Sequence, residues 1–81
     1  MQKYPARHRA IIAAIRGARL EKGISQRALS AQLNEVVNYI YMIEAGRRNV
    51  LAEELFAIAD ALGIDIHELV DRALGKRRTR R

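Results

Sequence analysis

The chain lacks several residue types that particular functions require, and each absence excludes a class of function. It has no cysteine, no tryptophan and a single proline among its 81 residues. Without cysteine there is no disulfide framework, thiolate metal ligand or cysteine nucleophile. The longest purely apolar run, 10–15, is far shorter than the roughly 20 residues that cross a bilayer, and nothing resembles a signal peptide. The alternation typical of strands is also absent, so we expect one helical domain, located in the cytoplasm.

Positive charge is concentrated at the two ends of the chain. The formal net charge is +6, and residues 76–81 contain five of the 15 lysines and arginines. We expect residues 1–5 to be flexible and residues 76–81 to form a disordered basic tail. Such a tail can neutralise DNA phosphates without reading sequence, or can be merely a solvated end. The remaining residues, 6–75, are the predicted folded domain.

Apolar periodicity and capping residues predict five helices. The first four are expected at about 6–22, 26–33, 37–45 and 52–62, and the fifth between Asp65 and Gly75. Ser25 is the predicted N-cap of the second helix, and Asn34 is expected to end it. No side chain is expected to cap the third helix. The start of the fourth is open between Asn49, which is a good cap, and Leu51, which is not.

Residues 25–46 hold the most informative pattern. Leu29 and Leu33 lie one helical turn apart, the period breaks over 34–36, and Ile40 and Ile43 restart it before Gly46. Two short helices joined by a tight turn, with polar residues outward on the second, are the arrangement that places one helix in the DNA major groove. The spacing therefore predicts a helix-turn-helix over about 25–46.

Several further residues, on both sides of this pattern, occur at spacings that match a known protein family. They are Gly23-Ile24-Ser25-Gln26, Leu29, Leu33, Ile40, Ile43-Glu44-x-Gly46, Ala59-x-Ala61-Leu62-Gly63 and Glu68-Leu69. Over about 12–74 the chain resembles the phage-repressor (Cro/C1-type) helix-turn-helix family. The shorter string from Tyr39 to Asn49 is similar to controller proteins of restriction–modification systems. The resemblance implies a compact all-α, five-helix, repressor-like fold that binds double-stranded DNA.

The resemblance also implies roles for individual residues. Base contacts are expected from the tip and outward face of the third helix, at Val37, Asn38, Tyr41 and Met42. Phosphate contacts are expected from Gln26, Arg27, Arg47, Arg48 and Asn49. Arg19 and Glu44 occupy the positions of a partly buried ion pair, and Ser30 the helix crossing, where a small residue is required. As an alternative to contacting DNA, the apolar side chains at 37, 39, 41 and 42 would form an interface with another protein.

The turn departs from the family pattern. Asn34, Glu35 and Val36 stand where the family has glycine, an apolar residue and a capping serine or threonine. Glu35 is unsuited to a core pocket, and Val36 fits one only if the backbone shifts.

A catalytic function has little support in the sequence. The two histidines, His8 and His67, lie in unrelated helices, and no phosphate loop or metal-ligand spacing is present. We therefore expect no enzyme activity, no catalytic residue, no cofactor and no metal.

The expected function is that of a transcriptional regulator. It would bind a palindromic operator as a homodimer, paired through the fifth helix with Ile64, Val70 and Leu74 as candidate contacts. The alternative is an antitoxin or adaptor whose main partner is a protein and whose DNA binding serves autoregulation.

Overall fold

The computed structural model describes residues 4–76, and the expectations for residues 1–3 and 77–81 fall outside these limits. The helices are α1 (Pro5–Glu21), α2 (Gln26–Gln32), α3 (Tyr39–Glu44), α4 (Ala52–Leu62) and α5 (Ile66–Ala73). No strand occurs between residues 4 and 76. The predicted all-α, five-helix class is confirmed, and within the same range no helix is long and apolar enough to cross a membrane.

One core joins the five helices. Helix α1 packs against α3, α4 and α5, and α2 packs against α3 and α4. Ile15, Leu29, Ile40, Ile43 and Ile58 are fully buried. At about 25 cal/mol per Å² of apolar surface removed from water, this shared burial is the main stabilising contribution.

Local signals set most helix ends. The Ser25 hydroxyl accepts a hydrogen bond from the Ala28 N–H at 3.0 Å, so Ser25 caps α2 as predicted. Asn34 adopts the left-handed conformation with φ 57°, which ends the α2 segment as predicted. Helix α4 begins after Leu51, whose own side chain makes no capping bond. Instead, the Leu51 N–H donates to the Glu54 carboxylate at 2.9 Å.

Helix α3 begins two residues later than predicted, and its N-cap residue, Asn38, makes no side-chain capping bond, as expected. Val37 and Asn38 belong to a turn, and the N–H of Tyr39 donates to the Val36 carbonyl at 3.0 Å. The Ser30 hydroxyl accepts a hydrogen bond from the Ile40 N–H at 3.0 Å. Ser30 is fully buried where α2 meets α3. A side chain ten residues earlier thus satisfies a donor in the first turn of α3.

The residue that fills the core beside this turn is Tyr39. Its exposure is 6%, whereas Val36 is 67% exposed. The backbone therefore does not shift to bring Val36 inward. The aromatic ring at the start of α3 supplies the apolar bulk instead.

Candidate DNA interface

Helix α3 has a buried face and an exposed face. Tyr39, Ile40 and Ile43 face the core. On the other side, Asn38 is exposed, Val37 is 57% exposed and Tyr41 is 47% exposed. Met42, the fourth residue predicted to contact bases, is only partly exposed. Three of those four residues are therefore accessible to solvent, and Met42 is partly accessible.

Glu44 fixes the end of α3 to α1 and α2. Its carboxylate accepts hydrogen bonds from Arg19 Nε at 2.6 Å, Arg19 Nη2 at 2.9 Å and Gln26 Nε2 at 2.9 Å. The side chains of Arg19 and Glu44 are 7% and 3% exposed. Arg19 also donates to the Ile24 carbonyl at 2.9 Å. This bidentate ion pair holds α3 at a defined angle to α1. The hydrogen bonds to Glu44 raise the pKa of Arg19 above its usual value.

Gln26 lies beside this ion pair, at the first position of α2. Its amide nitrogen carries two protons, and a bond to Glu44 uses one of them. Arg16 Nη1 is 3.8 Å from the same carboxylate, and the Arg16 side chain is 58% exposed. Sequence reasoning missed Arg16, because an arginine on a long amphipathic helix gives no sign of which neighbouring helix it will approach.

Arg48 is held by α4 and by Tyr39. Its Nη1 lies 3.1 Å from both oxygens of Glu54, and its guanidinium carbon lies 4.9 Å from the centre of the Tyr39 ring. The side chain is 36% exposed. Arg27, Arg47 and Asn49, the other residues predicted to contact phosphate beside Gln26, are all exposed. Arg48 thus has a structural role in joining the segment after α3 to the start of α4.

The Arg48–Glu54 pair makes the stability of the domain sensitive to acid. Arg48 and the Leu51 N–H lower the pKa of Glu54 below its usual value. A lowered folded-state pKa contributes stability that is complete above the ordinary carboxyl pKa and is lost as the pH falls through the folded-state pKa. We predict that Glu54→Gln, which retains an acceptor for the Leu51 N–H, costs roughly 1 kcal/mol or less at neutral pH. Thermal melts from pH 7 to pH 3 should show wild type and variant converging in acid. A constant difference between them would contradict this assignment.

A second surface lies away from α2 and α3. An apolar groove runs between α1, α4 and α5, and its lining residues are Arg7, Ile11, Ala14, Leu55, Leu69, Val70, Ala73 and Leu74. A neighbouring depression shares Leu55 and Val70 and adds Phe56. Val70, Leu74 and Phe56 are 38%, 43% and 54% exposed. We call these two depressions together the apolar groove.

The groove includes two of the three residues predicted for pairing. Ile64 is half-buried against the core and is not among the residues that line the groove. Phe56 was missed, although the sequence carried a signal. It is the single phenylalanine of the chain and lies outside the apolar stripe formed by Leu55, Ile58 and Leu62.

The part of the chain between residues 4 and 76 has no cluster of metal-binding side chains. No group of three or more histidine, aspartate or glutamate side chains there could hold a metal ion. His67 and Asp65 form an exposed contact of 2.8 Å at the start of α5, where Asp65 also accepts the His67 N–H as the helix cap. This local capping arrangement accounts for both residues.

Comparison with known proteins agrees with this geometry. The helix-turn-helix family model matches residues 15–69, which include α2, α3, α4 and parts of α1 and α5. One crystal structure of the clp gene regulator ClgR from Corynebacterium glutamicum is similar, with 30% sequence identity and a TM-score of 0.79, over 85% of this chain and 73% of that one. A second crystal structure of ClgR, also from C. glutamicum, has 28% identity and a TM-score of 0.79, over 91% of this chain and 96% of that one.

A search of curated proteins finds no match. The family match nevertheless spans more than half of the chain and includes the paired helices α2 and α3. This chain belongs to the Cro/C1-type helix-turn-helix family of DNA-binding transcriptional regulators.

Proposed function

We propose that the chain regulates transcription by binding a palindromic operator as a homodimer, with α3 of each copy in the major groove. The observation that carries the proposal is the division of α3 into a buried face and an accessible face, with the helix fixed by Glu44. A recognition helix must present side chains to base edges without losing its own support, and this arrangement meets both needs. The solved relatives are named as regulators of the clp gene, which favours a regulatory role here but does not identify the genes controlled.

In this proposal the phosphate contacts come from both sides of α3. Arg27 lies beside Gln26 at the start of α2, and Arg47 and Asn49 follow α3, so their exposed side chains would flank the helix in the groove. Gln26 would donate its second amide proton to a phosphate while Glu44 holds the first. Arg48 would act mainly as a positioning residue, because Glu54 and the Tyr39 ring already hold its guanidinium.

Base recognition would centre on Asn38 and Tyr41. The amide of asparagine can form two hydrogen bonds with adenine in the major groove. Asn38 is exposed at the N-terminus of α3 and makes no capping bond with its own side chain. Tyr41, one turn further along, would reach a base or a phosphate with its hydroxyl.

Pairing of two copies through the apolar groove would leave both α3 helices free. The groove is formed by α1, α4 and α5, whereas α3 packs mainly against α2 and α1. Its exposed Val70, Leu74 and Phe56 are the kind of contiguous apolar surface that marks a protein interface. A two-fold dimer of a single recognition helix doubles the contacts on a palindrome.

We predict that duplex DNA binding is salt-sensitive and that Asn38 discriminates at one base pair per half-site. Preferred sites are first selected from random duplexes, and affinities are then measured over a salt series. Arg27→Ala should weaken all duplexes alike and reduce the log–log salt slope by about 0.9 for each phosphate that the variant no longer neutralises. Asn38→Ala should relax the preference at one base pair, which costs about 1–3 kcal/mol of discrimination.

Two results would change the proposal. Unchanged site preference in Asn38→Ala would move base recognition to other residues. A wild-type protein that ignored duplex DNA at low salt would overturn the proposal, and the adaptor with a protein partner would then become the working hypothesis.

A further inference from the structure

We propose that Val36 and Val37 recognise the C5-methyl groups of pyrimidines in the major groove, and that these methyl contacts add sequence preference beside the base recognition by Asn38 and Tyr41. The inference rests on the proposed DNA-binding function. It names the chemical group on the DNA that the accessible surface at the start of α3 is suited to read. Thymine carries this methyl group, and so does 5-methylcytosine.

The first support is the exposure of two adjacent aliphatic side chains at the tip of the recognition helix. Val36 is 67% exposed and Val37 is 57% exposed. Neither contributes to the core, because Tyr39, Ile40 and Ile43 already occupy the inward positions. Exposed valines in the turn are therefore not explained by folding.

The second support is the shortage of hydrogen-bond donors around them. Residues 34–45 contain no arginine, lysine or glutamine. The commonest specific contact to guanine, from arginine or lysine, is thus absent from α3 and the turn before it. Asn34 and Asn38 are the two residues of this segment with an amide side chain, the group suited to adenine. Apart from these amides, the Glu35 carboxylate and the Tyr41 hydroxyl, apolar contact with a methyl group is the form of base recognition left to this surface.

The third support is that the turn holds the valines in a fixed position. Asn34 has φ 57°, the Glu35 N–H donates to the Ser30 carbonyl at 3.0 Å, and the Tyr39 N–H donates to the Val36 carbonyl at 3.0 Å. Valine itself has few side-chain rotamers. Little conformational entropy would then be lost when a methyl group packs against these residues.

The DNA side of the test uses the selected duplex with each thymine replaced singly by uracil, which removes only the C5-methyl group. One or two thymines per half-site should each show about fourfold weaker affinity after replacement, the value of one buried methyl. Where cytosine replaces such a thymine, its 5-methyl form should bind more tightly than cytosine itself, and equal affinity would count against methyl recognition. Thymines outside the recognised positions serve as internal controls.

The protein side of the test uses Val36→Ser and Val37→Ser, which remove both side-chain methyl groups and leave a small polar side chain. In the variant whose valine contacted a given methyl group, replacing that thymine with uracil should no longer weaken binding. Leu20→Ala is the control for removal of an exposed aliphatic group, since Leu20 is 54% exposed on α1 and lies outside the turn and α3. All three variants should melt close to wild type.

The outcomes are separable. If the protein binds its selected site but uracil has no effect at any position, or the site contains no thymine, methyl recognition is wrong and the DNA-binding function stands. Uracil sensitivity that persists in both serine variants would also overturn the assignment to Val36 and Val37. If no duplex is bound at low salt, the proposed function fails, and this inference fails with it.

Discussion

Replacing Glu44 with alanine is expected to cost about 3–5 kcal/mol of unfolding free energy, because Arg19 would remain buried without its counter-charge. Arg19 is 6% exposed as a residue, and Glu44 accepts two of its hydrogen bonds. At roughly 0.05–0.15 kcal/mol per residue, a domain of this size has only about 4–12 kcal/mol in total. The substitution would therefore remove a large part of the stability.

Thermal melting measures this effect directly. For a domain of this size about 1 kcal/mol moves the melting temperature by roughly 4–8 °C, so a fall of about 12 °C or more is expected. The matched control is Glu21→Ala. Glu21 also accepts from an arginine, Arg72, at 2.7 Å, but its side chain is 64% exposed. Water replaces a surface partner, so the control should melt close to wild type.

The same substitution should also affect DNA binding below the melting temperature. Glu44 orients Gln26 as well as Arg19, so any folded Glu44→Ala protein should have weaker affinity for all duplexes. Glu44→Gln keeps an acceptor but removes the charge, and it should lie between wild type and alanine in stability. Equal melting of Glu44→Ala and Glu21→Ala would show that the buried pair does not support α3.

Features set by neighbouring residues were predictable from sequence. Ser25 caps α2, Asn34 turns the chain after it, and α4 ends at Leu62 as periodicity predicted. Each depends on side chains within four residues, so a single sequence contains the necessary information. The pairing of Arg19 with Glu44 spans 25 residues and came from the family resemblance.

Features that depend on packing were not predictable in the same way. Helix α3 starts two residues later than predicted, beside the contact in which Ser30, on another helix, accepts the Ile40 N–H. The prediction of a phosphate contact for Arg48 rests on its charge and on its position after the recognition helix. Predicting its contact with Glu54 requires knowing where α4 begins, and the sequence leaves this open between Asn49 and Leu51. The sequence likewise does not show that Tyr39 is buried while Val36 stays exposed.

The candidate pairing surface shows the same limit. A stripe on α5 suggested Val70 and Leu74, but the groove also needs Leu55 and Phe56 from α4 and Ile11 from α1. Three helices must be placed together before this surface exists. Ile64 was included by its position in the sequence, and in the structure it is half-buried against the core.

Val70→Glu is expected to raise the dimer dissociation constant by at least about 100-fold if pairing occurs through the apolar groove. Val70 lines both depressions, which places it in the middle of the proposed interface. In a two-fold dimer each substitution acts twice, and an unpaired carboxylate removed from water costs several kcal/mol. The monomer should tolerate the change, because Val70 is 38% exposed to solvent there.

Sedimentation equilibrium and DNA titration test this expectation together. Val70→Glu should melt near wild type when monomeric, sediment as a monomer, and bind a single half-site as wild-type monomer does, without the gain from a full palindrome. Leu74→Glu should behave similarly, and Leu20→Glu, on an exposed position outside the groove, should remain dimeric. A Val70→Glu protein that stayed dimeric would place the interface elsewhere. A folded Val70→Glu protein that bound neither the half-site nor the palindrome would instead indicate that α5 contacts DNA directly. The reason is that the change leaves α3 and the Glu44 contacts that support it intact.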